Sequence, residues 1–116
     1  MQMDEYETLS RLFKALSEPI RIRIFMILSQ GEICVCDIQE VLDEPQSKIS
    51  RHLSYLKHSG LIEAKRVGRW MHYYVRKDMD ALSKAHLRFI KDQCSSFEVF
   101  EKDLQKLKEL KGKKIC

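Results

Sequence analysis

The stretch DIQEVLDEPQSKISRHLSYLKHSG, Asp37 to Gly60, decides the fold. Asp37–Leu42 reads as a short helix, and Asp43-Glu44-Pro45 reads as a turn. A longer helix then runs from about Gln46 to Ser59, and Gly60 supplies its stop. Its apolar stripe is Ile49, His52, Leu53 and Leu56. Its opposite stripe is Ser47, Ser50, Arg51 and Ser54, all short polar or basic. Short helix, tight turn and longer helix make the helix-turn-helix arrangement.

The flanks extend this reading. Two β-rich runs, Leu61–Val67 and Trp70–Arg76, surround Gly68-Arg69 and predict a hairpin, or wing. Tyr73 and Tyr74 face opposite sides of its second strand, so at least one packs, and Trp70 is expected to pack too. From Asp78 the chain turns helical, with Leu82, Ala85, His86, Phe89 and Ile90 on one face. A last segment repeats Phe97, Phe100, Leu104 and Leu107 at the spacing of a coiled-coil seam. Upstream, Leu9, Leu12, Phe13 and Leu16 mark an amphipathic helix over Asp4 to about Ser17. Ile20, Ile22 and Ile24 alternate with arginines as a strand would, yet Pro19 and the length favour a helix. The fold class is therefore mainly α with a small β-hairpin, a winged helix-turn-helix. Residues 1–95 are expected to form one DNA-binding and dimerisation domain, and 96–116 a helical extension with a basic tail.

Composition fits that class. The chain has 116 residues, 44% hydrophobic and 33% charged, enough for one core without disulfides. No apolar run approaches the ~20 residues that span a bilayer. The first residues, MQMDEYETLSRLF, lack the apolar core of a signal peptide. A cytoplasmic protein without a membrane partner is expected. Net charge is +4, and its placement is uneven. Between 47 and 77 lie Lys48, Arg51, Lys57, Lys65, Arg66, Arg69, Arg76 and Lys77 against Glu63 alone.

A helix reads double-stranded DNA by setting small polar and basic side chains against base edges and phosphates. Ser47, Ser50, Arg51 and Ser54 meet that need. Gln46 and Lys48 flank the helix entry, where backbone amides also face phosphate. Arg66 and Arg69 sit at the hairpin tip, placed to reach backbone or the neighbouring groove. His52, on the apolar stripe, reads as a half-buried support for the wing.

In a reducing cytosol, clustered thiols point to metal binding or redox chemistry. Cys34 and Cys36 stand at the entry of the first motif helix. The run Glu32-Ile33-Cys34-Val35-Cys36-Asp37-Ile38 resembles the metal-binding box of the ArsR/SmtB family of metalloregulatory repressors. Gln46–Leu53 followed by Ser59-Gly60-Leu61-Ile62 resembles that family's recognition helix and exit, and Gly68–Tyr74 resembles its wing. The likeness covers about residues 8–90, in the family's order and spacing. It implies a homodimer, joined through its terminal helices, that represses a detoxification operon until an ion loosens it from DNA.

The resemblance also narrows the ion. The family's zinc-type site on the dimerisation helix would read Asp-x-His with a second His and an acid. Here Asp80 is followed by Leu82, and His86 stands alone. Its cadmium and lead sensors add cysteines from an N-terminal arm, and this chain has none before Cys34. Arsenite or antimonite is the implied inducer, and no catalytic cofactor is expected. Trivalent arsenic commonly takes three sulfurs in a pyramid, and thiolates are the soft ligands that select it. Some arsenic members carry a third cysteine at the position of Gln39. That departure leaves Cys94, and less favourably Cys116, as the third ligand.

Regular geometry sets a constraint on the pair. Side chains at i and i+2 point ~200° apart in a helix. They lie ~7 Å apart in a strand. One ion then holds both thiolates only by distorting the helix start, which would shift the Gln46–Ser59 helix against its DNA half-sites. A helix start also favours thiolate. Rival readings are a cadmium- or lead-responsive repressor and a thiol-redox sensor needing a partner such as Cys94. A DNA-binding domain without a ligand is a third. No nucleophile–base pair, phosphate-cradling glycine loop or carboxylate pair points to an enzyme.

Overall fold

The computed structural model describes residues 4–113, with side chains as far as Lys111. The order is α1 (Glu5–Ala15), α2 (Pro19–Leu28), β1 (Ile33–Cys34), α3 (Val35–Leu42), α4 (Gln46–His58), β2 (Ile62–Val67), β3 (Trp70–Val75), α5 (Ala81–Cys94) and α6 (Glu98–Lys113). The ambiguous isoleucine run is a helix, started by Pro19 where its missing N–H costs nothing. Helix α2 buries Ile20, Arg21, Ile24, Phe25, Met26, Ile27 and Leu28. A helix apolar nearly all round belongs at the centre of a core. Strand-like alternation here reflects Arg21 and Arg23 reaching partners on other helices, not a pleat.

The helix-turn-helix is built by local chemistry. Asp43 ends α3 in the left-handed region, φ 52° and ψ 51°, which Asp tolerates better than most residues. Pro45 then precedes the first turn of α4. Gly60 stops α4 at φ 85°, and Leu61 N–H donates to the Leu56 carbonyl over 3.1 Å, the Schellman closure. Ile49, His52, Leu53 and Leu56 face the core as the periodicity requires.

The sheet has three strands, not two, in the order β1-β3-β2. Strands β2 and β3 pair antiparallel across Gly68, whose φ of 64° the tight turn needs. Strand β1 adds Ile33 opposite Tyr73 and Cys34 opposite His72. Two residues are too short for sequence periodicity to reveal. Tyr73 packs on the core, as at least one of the tyrosines had to. Trp70, expected to pack, is 46% exposed, because it stands at the free tip of the hairpin.

Helix α6 uses its stripe on its own chain. Phe100, Leu107 and Leu110 are buried in the same core as α2 and α3. Arg23 of α2 holds Asp103 of α6 with two hydrogen bonds, Nε to Oδ2 at 2.9 Å and Nη2 to Oδ1 at 2.8 Å. That fork fixes the angle at which α6 crosses α2. Replacing Asp103 with Ala orphans a half-buried guanidinium. The expected loss is about 2–3 kcal/mol of unfolding free energy, read from urea melts. Asp103→Asn is expected to lose less.

Candidate functional site

Cys34 and Cys36 come together at a change of backbone. Cys34 has extended dihedrals, φ −67° and ψ 142°, and is the residue just before α3. Cys36 lies two residues on, in the first turn. Passing from strand to helix between them swings the side chains toward one another, and the sulfurs stand 3.1 Å apart. The distances of a regular helix or strand therefore do not apply, and holding one ion requires no unwinding of α3. With metal–sulfur bonds of about 2.3 Å, two sulfurs on one ion lie roughly 3–4 Å apart. The positive end of α3 faces the pair and favours negative charge there.

Charged groups surround it. Asp37, one residue further, is half-buried, and its Oδ1 is buried without a hydrogen-bond partner. Burial pushes that carboxyl up, against the pull of His72 and of Lys111 on α6. Glu32, just before β1, pairs with Lys65 at 2.8 Å and stands 3.0 Å from His72 Nδ1. The hydrogen bond from Lys65 holds the Glu32 carboxyl below its ordinary value. Among the described residues no third His, Cys, Asp or Glu joins Cys34 and Cys36 in a metal-holding group. Cys94, at the end of α5, is half-buried against the hydrophobic core. Cys116 lies outside the described residues.

The residues expected to read DNA lie on α4 and the hairpin. Gln46, Ser47, Ser50, Arg51 and Ser54 are exposed on one side of α4, and Arg66 and Arg69 are exposed at the hairpin tip. Lys48 is half-buried and pairs with Glu44 at 3.3 Å. Behind this surface, His52 is 7% exposed. Its partner is Arg21 rather than the wing. Arg21 Nη1 donates to His52 Nδ1 at 3.3 Å, while Nε and Nη2 donate to the Ala15 and Lys14 carbonyls at 2.7 and 3.1 Å. The guanidinium also lies 4.1 Å over the Tyr55 ring. One buried arginine thus ties the end of α1 to the back of α4.

Sequence reasoning missed Arg21, Glu32 and His72. Arg21 is hidden inside an apolar run. Glu32 meets Lys65 and His72 only across the sheet, and no local pattern pairs them. Asp80 caps α5, accepting from Ser83 N–H at 3.2 Å.

These features define a winged helix-turn-helix regulator of transcription. Residues 18–64 match the family model described as bacterial regulatory protein, arsR family. A helix-turn-helix-type transcriptional regulator of Methanocaldococcus jannaschii is 40% identical over 66% of this chain and 86% of its own length. The arsenical resistance operon repressor of Escherichia coli is 48% identical over 54% of this chain, which spans 55% of that repressor. The arsenic resistance transcriptional regulator ArsR1 of Pseudomonas putida is 33% identical, covering 78% of this chain and 71% of its own. A cadmium resistance regulator CadC homolog of Staphylococcus aureus is 35% identical over 55% of the chain and 54% of its own. Among solved structures, HlyU of Vibrio cholerae superposes with a TM-score of 0.68 at 23% identity, over 78% of this chain and 97% of its own. A homodimeric winged helix-turn-helix domain of Mycobacterium bovis superposes at 0.63 and 26% identity, over 84% and 94%. The chain belongs to the ArsR family of DNA-binding transcriptional regulators and is not an enzyme.

His52 yields a pH prediction. Burial, and then the charge of Arg21, hold its imidazole below the ordinary 6.5. The unfolded chain then takes up the proton first. Its contribution to stability is full above pH 6.5 and is lost as pH falls below it. Urea melts from pH 7.5 to 5 should show a decline that His52→Gln flattens.

Proposed function

We propose that this repressor releases its operator when trivalent arsenic or antimony binds the thiolates of Cys34 and Cys36. The observation that carries this reading is the 3.1 Å approach of the two sulfurs at the first turn of the helix-turn-helix. Soft thiolates favour a soft ion, and the pair needs little rearrangement to take one. Relatives named for arsenic resistance support the choice of inducer.

Release follows two routes from the same atoms. Cys36 belongs to α3, which leads through one turn into α4. Cys34 is laddered to His72 on β3, and Glu32 clamps the same segment to Lys65 on β2. An ion held by both sulfurs spaces them roughly 3–4 Å apart and so loads the wing and α3 together. Displacing either moves Arg66 and Arg69, or Ser47, Ser50, Arg51 and Ser54, relative to DNA.

The unit that binds is a homodimer. Two half-sites one helical turn apart, roughly 34 Å, need two copies of α4. Helices α1 and α5 supply the surface, since Tyr6, Phe13, Leu82 and Phe89 are 72%, 51%, 44% and 65% exposed. Large apolar side chains clustered on two packed helices mark an association face. Residues 1–95 carry DNA binding and dimerisation in this reading.

Operator release, followed by fluorescence anisotropy, is expected with arsenite and antimonite for the wild type. It is expected to be abolished in Cys34→Ser and Cys36→Ser, each retaining wild-type affinity without the ion. Release of wild type by cadmium or peroxide, but not by arsenite, would instead favour the cadmium or redox reading. Arg51→Ala should weaken operator binding by about 1–3 kcal/mol and relax base preference. Arg69→Ala should weaken all sequences alike and lower the salt slope by about one.

A further inference from the structure

We propose that the groove between the base of the hairpin and α5 binds an organic anion with an apolar body, in its simplest form a medium-chain carboxylate. The site is separate from Cys34 and Cys36, and it stands whether or not those residues take arsenic.

The groove measures about 1000 Å³, at the upper end of the range of small-molecule sites. Its floor is apolar. Phe25 and Leu28 of α2 and Leu87 of α5 are buried beneath it, and Val75 and Met79 lie half-buried along it. Its rim is cationic. Lys77 stands just past β3, and Lys84, Arg88 and Lys91 stand on α5, all four exposed. Positions 84, 88 and 91 are three to four residues apart and form one stripe of the helix. Leu82 and Phe89 lie on roughly the opposite side of α5. Association of two copies through those residues therefore leaves the groove open.

Charge selects the sign of the ligand. Two of the acids along the groove are already engaged. Glu32 holds Lys65 at 2.8 Å and His72 at 3.0 Å. Glu63 accepts from Tyr74 at 3.1 Å and faces Arg76 at 3.5 Å. The other two, Asp78 and Asp92, are outnumbered by Lys77, Lys84, Arg88 and Lys91. None of these four cations makes an ion pair among the described residues. A bare inorganic anion would leave Val75 and Met79 against water, and a neutral hydrocarbon would leave the rim uncompensated. An anionic head on an apolar body meets both walls. Such an occupant touches α2, β3 and α5 together and rests against the base of the wing.

The test titrates the full-length protein with decanoate, below its micelle concentration, by calorimetry and by methyl NMR. One decanoate per protomer is expected, moving the methyl signals of Val75, Met79 and Leu87 and leaving that of Leu82 in place. Affinity should rise severalfold from octanoate to decanoate as the apolar body lengthens. It should fall roughly tenfold in the double variant Lys84→Gln, Arg88→Gln, whose changes are confined to exposed side chains. Absence of saturable binding would overturn the proposal, as would equal binding of decyltrimethylammonium or shifts at Leu82 in place of the groove methyls. Unchanged decanoate affinity in the double variant, with a tenfold loss of operator affinity, would overturn it in favour of a contact to the DNA backbone.

Discussion

Two backbone pairings, Ile33 with Tyr73 and Cys34 with His72, join the cysteine pair to the wing. The strand ends at Cys34 because α3 begins at Val35. That abrupt change from extended to helical backbone brings two sulfurs to 3.1 Å, although residues two apart are separated in either regular form. It also makes one short segment a member of two structures at once. Cys34 belongs to the sheet, and Cys36 belongs to the helix-turn-helix. An ion bridging them would act on the hairpin and on the helix-turn-helix without a relay through the core.

Helix α2 keeps the rest of the molecule rigid enough for that to matter. Its apolar side chains fill the centre, and its two arginines reach outward in opposite senses. Arg21 satisfies the last carbonyls of α1 and holds His52 and Tyr55 on the back of α4. Arg23 takes the carboxylate of Asp103 and sets α6 across α3. The face of α4 opposite His52 is left to small polar residues and Arg51.

Much of this was legible in the sequence. The α4 stripe of Ile49, His52, Leu53 and Leu56 faces inward as its period demanded, and Gly60 and Gly68 take the positive φ their turns require. The family resemblance is met by the family model over residues 18–64. Three features escaped. Strand β1 is too short to have a period, so its presence depends on the hairpin it joins. The seam of Phe100 and Leu107 has the same spacing whether it meets a second chain or its own core, and only tertiary packing decides. Arg21 and Asp103 are charged residues whose burial depends on partners distant in sequence, and no local pattern announces such pairs.

We propose that the inducer acts on the wing through the β1–β3 ladder. Amide hydrogen exchange across residues 32–34 and 70–75, measured with and without arsenite, tests it most directly. Arsenite is expected to change exchange in both segments by severalfold in wild type, with no change in Cys34→Ser. Exchange confined to α3, with β3 unaffected while the operator is still released, would contradict it.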